Sequence, residues 1–388
     1  MKWIALLAVV FCAAGLKAQS GLGSFLVTND DIGPYVDPFF STATFIAVSS
    51  DGTLGAQTSV STGGYGIGGG YFGAARVLAM PNGADACVYV SNAQIAAIVG
   101  IDALTQTVTG TFYGSPTDSG TSNGIGMAAN ARYLYATYTA STTIATFQVQ
   151  PGCALGFVGD VFAAGLNGGT VDGMAINGNI MVIAYGDGSI QSFNVSAGVP
   201  VPNGDEQYST GSTNDHLPNG VTISSNGQYA IFGDASTTTT VEVSNISSGQ
   251  LTPTIAYALG PTWNSGSVLL SPDDTILYVG NDSAGQVTAA FFNSATGVVS
   301  KGCTSNTLNG FYTNFSYVGQ VQLQLSTGQG GMIYVPEFGS SGTSYIGMLQ
   351  LASTGATCTL TESPNSPVAD TKQGAALLSI AVYPVPPL

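Results

Sequence analysis

One apolar, β-type segment that recurs seven times, a spacing of about 47 residues through the middle of the chain, and a wealth of turn-forming glycine together predict an all-β protein. The predicted architecture is a seven-bladed β-propeller of four-stranded antiparallel blades, the ring closed by the C-terminal strand joining blade one. Gly accounts for 53 of 388 residues, charged residues for 7 % and hydrophobic residues for 44 %. That balance supplies a core while arguing against both a helical and a disordered chain.

The recurring segment reads FLVTND (25–30), VYVSNA (88–93), LYATYT (134–139), MVIAYG (181–186), AIFGDA (230–235), LYVGND (277–282) and IYVPEF (333–338). The clearest full unit, 266–302, runs apolar strand, Pro-Asp turn, apolar strand, short loop, alternating strand, Gly turn and outer strand, which is a four-stranded meander. Pro272 presets φ for its turn, and Asp273 and Asp274 are expected to cap their own backbone. SSNGQ (224–228) and MPNGAD (80–85) are equivalent turns. The later hairpins SSDGTL (49–54), SSGQL (247–251) and SATGVV (294–299) place Gly where positive φ is expected.

Residues 1–18, MKWIALLAVVFCAAGLKA, join an early Lys2 to a short apolar stretch and small residues, the pattern of a secretory signal peptide. Residues 19–388 then form a single domain, with blade one at 24–62 plus 374–384, blade two at 74–114 and blade three at 123–162. Blade four follows at 170–210, blade five at 217–260, blade six at 265–305 and blade seven at 316–362. Blade one begins directly with its second strand, and GAALLSIAVYP (374–384) has the character of the missing innermost one. The expected location is therefore secreted, periplasmic or extracellular.

After the leader only Arg76, Arg132, Lys301 and Lys372 stand against all 21 carboxylates. Clustered cations are what bind phosphate, so neither a nucleic-acid partner nor an anionic membrane surface is expected. No later segment has the length of a membrane span. Cys87, Cys153, Cys303 and Cys358 are even in number in an exported chain, which marks them as disulfide candidates with three pairings open. Their spacing matches no metal site, and neither a metal nor a cofactor is expected. The chain is expected to be a monomer.

In such a meander the end of strand two and the start of strand one share one end of the blade, so their residues gather at one mouth of the central channel. The strand-two ends are Asn29, Asn92, Tyr138, Tyr185, Asp234, Asn281 and Glu337. Of these Asn29, Asn92, Asp234, Asn281 and Glu337 are candidate substrate-binding residues. Arg76 and the sole histidine, His216, sit just ahead of inner strands. Arg76 would hold an anionic or carbonyl oxygen, while His216, oriented by Asp215, would move a proton. The alternative is that His216 caps a turn and that Arg76 pairs with Asp234 or Glu337. Trp263, in the loop before blade six, either lines the mouth or staples that loop. The glycine run 63–73 reads as a loop rimming the same face, with no βαβ context for a dinucleotide. Asp30-Asp31 and Asp273-Asp274 match no calcium loop and read as surface turns. Sequons stand at Asn194, Asn245, Asn281 and Asn314.

The Ser-Pro-Asp-Asp turn followed by Leu277-Tyr278-Val279-Gly280-Asn281 resembles two related groups of seven-bladed propellers. One is the lactonase family that includes 6-phosphogluconolactonase; the other is the Tyr-Val-Thr-Asn repeat surface proteins. The first resemblance implies hydrolysis or formation of a cyclic ester at the central channel, without a metal. It implies a Pro-Arg-His at the start of one inner strand and an Asn-Glu at the end of the next strand. Here those positions hold Pro218, Asn219, Gly220, Asp234 and Ala235, so the family's Arg, His and Glu are replaced. Two functions follow as expectations: a lactonase-like hydrolase taking a small lactone or carbohydrate-like ligand, or a non-catalytic propeller binding a protein surface partner.

Overall fold

A computed structural model describes residues 24–30, 41–64, 75–83, 85–115, 125–209, 217–235, 241–259, 267–281, 284–308, 322–323, 332–338, 343–354, 357–373 and 379–383. Each of the seven recurring segments is the second strand of its own antiparallel sheet, and the seven sheets have the blade order expected from the repeat. In blade one the order from the rim inward is 54–61, 42–48, 25–29 and then the C-terminal strand 379–383. Its register sets Phe25 opposite Tyr383 and Asn29 opposite Ser379, so the end of the chain supplies the innermost strand and closes the ring. Blade seven carries one element that its repeat does not announce, a strand at 368–373 paired to its third strand, 343–354. Among the described residues the helical content is a single 3-10 turn, Pro151–Cys153.

The apolar pattern explains why the ring must close. In a strand, alternate side chains leave opposite faces, and both faces of these second strands are buried. Leu277 and Val279 pack toward blade five with Ile231 and Val243, whereas Ile276 and Tyr278 pack toward blade seven with Ile333 and Val335. The other seams are built alike. The last joins Tyr334, Ile346 and Met348 of blade seven to Leu26, Ile46, Ile380 and Val382 of blade one. The core is therefore a circle of seams rather than one central cluster.

The tyrosines of the repeat have a second duty on the face opposite the strand-two ends. Tyr135 Oη donates to the Gly198 carbonyl at 3.0 Å, and Tyr334 Oη to the Gly52 carbonyl at 2.6 Å. Each reaches from one blade into the hairpin turn between strands three and four of the next. Gly52 and Gly198 sit at φ 85° and 99°, where a side chain would be strained. Gly249 and Gly297 also take positive φ. Asp273 caps its own turn, accepting from the Ser271 and Thr275 hydroxyls and the Thr275 N–H. Asp274 does not follow the expectation of self-capping, because its carboxylate is turned to the adjoining blade. There it accepts from the N–H (2.6 Å) and Oγ (2.7 Å) of Ser225. The contact satisfies a turn N–H that the fifth blade leaves open.

Two disulfides tie neighbouring blades. Cys87–Cys153 joins the second strand of blade two to the strand-three turn of blade three, and both residues are fully buried. Cys303–Cys358 joins the outer strands of blades six and seven and lines a cavity of about 450 Å³ with Thr304–Thr307 and Thr359–Glu362.

Two outcomes are expected. Deleting 374–388 removes Ile380, Val382 and Tyr383 and uncovers the side chains they pack against, among them Leu26, Tyr334 and Phe25. At about 1.5–3 kcal/mol for each large apolar side chain, thermal denaturation should occur many degrees lower; an unchanged melt contradicts this closure. With a soluble reductant and differential alkylation read by mass spectrometry, Cys303 and Cys358 should be labelled well before Cys87 and Cys153, because thiol exchange needs access to sulfur.

Candidate functional site

The strand-two ends share one face of the ring, but their side chains are largely drawn into its frame. Asn29, Asn92, Asp234 and Asn281 are fully buried and Glu337 is 2 % exposed. Asn29 Nδ2 donates across the seam to Ser91 Oγ at 3.1 Å and lies within hydrogen-bonding reach of the Ser91 and Arg76 carbonyls. Asn92 Nδ2 donates to the Thr62 carbonyl at 3.3 Å, from blade two back to blade one. Asp234 Oδ1 accepts from the Leu217 N–H at 3.0 Å, fixing where the chain enters the first strand of blade five. Asn281 Oδ1 accepts from the Ala284 N–H at 3.2 Å. Tyr185 Oη donates to Gln191 Oε1 at 2.8 Å. The Glu337 carboxylate lies against Gly347, where a Cβ would come within 2.0 Å of Oε1.

Arg76 is 4 % exposed at the start of blade two. Its carbonyl accepts from the Ser91 N–H at 2.9 Å, and the preceding Ala75 bridges to Met127 of blade three. Blade two and blade five are three places apart in the ring, so Arg76 and Leu217 stand on different sides of the channel. His216 and Asp215 lie outside the described residues, as do Asp31, Trp263, residues 65–73 of the glycine run and Asn314. The sequons at Asn194 and Asn245 are exposed, whereas Asn281 is buried.

A second group on this face escaped sequence inspection. The first strand of blade four, 171–177, pairs with 180–185, and a bulge between Val171 and Gly173 leaves Asp172 out of the ladder. A bulge re-aims a side chain. Within electrostatic range of Asp172, Asp187 follows the end of the second strand through exposed Gly186. Asp187 is only partly buried, which pushes its carboxyl up. The Ser189 hydroxyl and the N–H groups of Asn167, Ser189 and Gly169 outweigh that and hold it below its ordinary value. The backbone bonds measure 2.6 Å from Asn167 and 3.1 Å from Ser189, and the hydroxyl bond 2.6 Å. Asp172 has no such donors. Burial, and then the charge of Asp187, push its carboxyl up to about 6.

Two carboxyls of one residue type are thus given different proton affinities by their surroundings, the pattern that separates an acid or base from its electrostatic neighbour. Asp172 remains partly exposed on the innermost strand, beside a Gly186 whose missing side chain leaves its Oδ2 uncrowded. Next to it the backbones of blades four and five touch: a Cβ on Gly173 would lie 1.7 Å from the Asn219 carbonyl oxygen. Blade five repeats the device with a bulge between Pro218 and Val221, which contains Asn219 and Gly220. The sequence signal was present but faint, an Asp at each of the two mouth positions of one blade, both beside glycine, in TVDG (170–173) and YGDG (185–188). Among the described residues no three His, Cys, Asp or Glu gather as a metal site. None of the described helices is long and apolar enough to cross a membrane.

These features define the class: a seven-bladed β-propeller with a carboxylate pair at one mouth of its channel. No protein-family model matches the chain, and no curated protein matches it. Solved structures do. A putative 6-phosphogluconolactonase from Bacteroides uniformis superposes with a TM-score of 0.64 at 13% identity, covering 93% of this chain and 100% of the other. The periplasmic gluconolactonase of Pseudomonas aeruginosa gives a TM-score of 0.60 at 12% identity, covering 94% and 100%. A chain of the mitotic checkpoint complex gives 0.52 at 13% identity, covering 78% and 82%. At such identities the likeness is one of fold.

The close approach at Gly173 has a direct test. Gly173→Ala must push back a backbone oxygen rather than a flexible side chain, so overpacking costs of about 1–3 kcal/mol are a lower bound. The variant should melt several degrees below the parent, and an unaltered melting temperature would contradict the contact.

Proposed function

We propose that this chain is an extracytoplasmic hydrolase that opens a cyclic ester at the mouth of the propeller channel. The observation that carries the reading is the Asp172–Asp187 pair, with one carboxyl raised to about 6 and its neighbour held low. Opening a lactone requires a base to take a proton from the attacking water and an acid to return one to the leaving oxygen. Asp172, ionised above about pH 6, serves as that base. Asp187 stays charged and keeps the proton affinity of Asp172 high. Arg76, His216 and Asp215 remain candidates for holding the carbonyl oxygen and for the return of the proton. The lactonase-type neighbours favour a small neutral or phosphorylated sugar lactone, and the leader together with two disulfides favours export.

A non-catalytic binding propeller is the second reading. It is favoured by the use of Asn29, Asn92, Asp234 and Asn281 as framework bonds rather than as free channel groups, and by the fold likeness to a chain of a protein assembly.

The deciding experiment is hydrolysis of a panel of plain and phosphorylated lactones by the mature protein and by Asp172→Asn, Arg76→Ala and His216→Ala variants. Loss of a general base costs about 10²–10⁴ in rate, so Asp172→Asn should fall by that factor. In the parent, kcat/KM should rise with pH through about 6 and level off above it, since the ionised form is the active one. Asp187→Asn removes the like charge and should move that inflection to lower pH. Hydrolysis by the parent no faster than by Asp172→Asn rejects the carboxylate mechanism. Hydrolysis by neither, on any lactone, favours the binding propeller.

A further inference from the structure

The seam where the ring closes holds a second pair of carboxyls. Asp30 follows the second strand of blade one and, contrary to the surface turn expected of it, is fully buried, because the threonines of two strands enclose its carboxylate. It accepts from three threonine hydroxyls: Thr28 on its own strand, and Thr42 and Thr44 on the third strand, the last at 2.8 Å. Thr28 Oγ1 also lies 3.3 Å from Oδ2 of Asp370, which is 4 % exposed. A hydroxyl has one proton and serves one of the two carboxylates at a time. Both groups therefore stand within hydrogen-bonding reach of one oxygen atom, in a place from which water is excluded.

Asp370 belongs to the strand 368–373, which is the strap across the closing seam. On one side it pairs with blade seven, Ala369 opposite Tyr345 and Val368 opposite Ile346. On the other, Gln57 of the outer strand of blade one grips both neighbours of Asp370. Its Nε2 donates to the Ala369 carbonyl at 2.9 Å, and its Oε1 accepts from the Thr371 N–H at 3.0 Å. The strap leads directly to the closing strand 379–383. Among the described residues, the charged group that acts on Asp30 from the second, third and strap strands is Asp370; the other groups bonded to it are the three neutral threonines.

We propose that ring closure is proton-locked: the Asp30–Asp370 pair holds a proton while the strap is docked, and loss of that proton loosens the strap and the closing strand behind it. Two buried carboxylates that share one hydroxyl repel, and a proton on Asp30 removes that repulsion. In agreement, burial first and Asp370 second push the Asp30 carboxyl well above its ordinary value, against the threonine bonds that lower it. The folded chain thus binds a proton that the unfolded chain releases above about pH 4. The lock's contribution is complete below that value and is lost as pH rises through the raised folded value.

The test is thermal denaturation between about pH 4 and about pH 9 of the parent, Asp30→Asn, Asp370→Asn and the control Asp160→Asn. The control removes one negative charge from an exposed site on an outer strand. Asn mimics a protonated Asp, so Asp30→Asn or Asp370→Asn should melt close to the parent at the acid end and several degrees above it at the alkaline end. Asp160→Asn should run parallel to the parent. If both buried variants also run parallel, the lock is refuted. Hydrogen exchange of the parent's 379–383 segment decides the matter even if a variant fails to fold. Opening should raise its exchange from acid to alkaline pH by about tenfold more than base catalysis alone, and the absence of that excess overturns the proposal.

Discussion

Every blade of this protein buries two faces, and it can do so only because it has a neighbour on each side. The requirement fails at one place in a linear chain, where the first blade meets the last. Pairing of 379–383 with 25–29 removes that failure by building blade one from both ends of the chain. Leu26, Ile380 and Val382 then meet Tyr334 and Met348 on one side, while Phe25 and Tyr383 stack with centroids 5.2 Å apart and pack toward blade two on the other. Without the closing strand, two seams lose their cover together, and the edge left behind would be open to pairing with other chains.

The same constraint governs what is left for chemistry. Side chains at the channel mouth occupy the ends of seams, and most are spent satisfying backbone groups there. Asn29 and Asn92 bond in opposite directions across the junction of blades one and two, and Asp234 sets the entry of its own inner strand. The groups freed from that duty sit where the ladder is interrupted. The bulge in blade four removes Asp172 from strand pairing without moving it from the innermost strand, and the loop 165–169 surrounds Asp187 with donors. One carboxyl is solvated by the protein's own N–H groups and its neighbour is not, so their proton affinities separate.

Periodicity made the fold legible in the sequence, because a strand buried on both faces must be apolar throughout and a tight turn must contain residues that tolerate its φ. FLVTND, LYVGND and their counterparts carry the first rule, and Gly52, Gly249 and Gly297 the second. The strap at 368–373 was not legible, since VADTKQ has neither the apolar run of an inner strand nor a place in the repeat. The Asp172–Asp187 pair was hidden for a related reason. A bulge is a property of strand pairing, and nothing in TVDG indicates which residue will be left out of the ladder.

By itself, then, the sequence determined the all-β class, the number of blades, the identity of each second strand and the strand that returns to close the ring. These are consequences of local pattern repeated at a fixed period. Only the tertiary structure decided which cysteines meet, that Asp274 caps another blade's turn, that the strand-two ends are buried, and that two pairs of aspartates come together within blade four and at the closing seam. Those outcomes depend on distances between residues far apart in the chain, and on how much water the packing leaves beside each carboxyl.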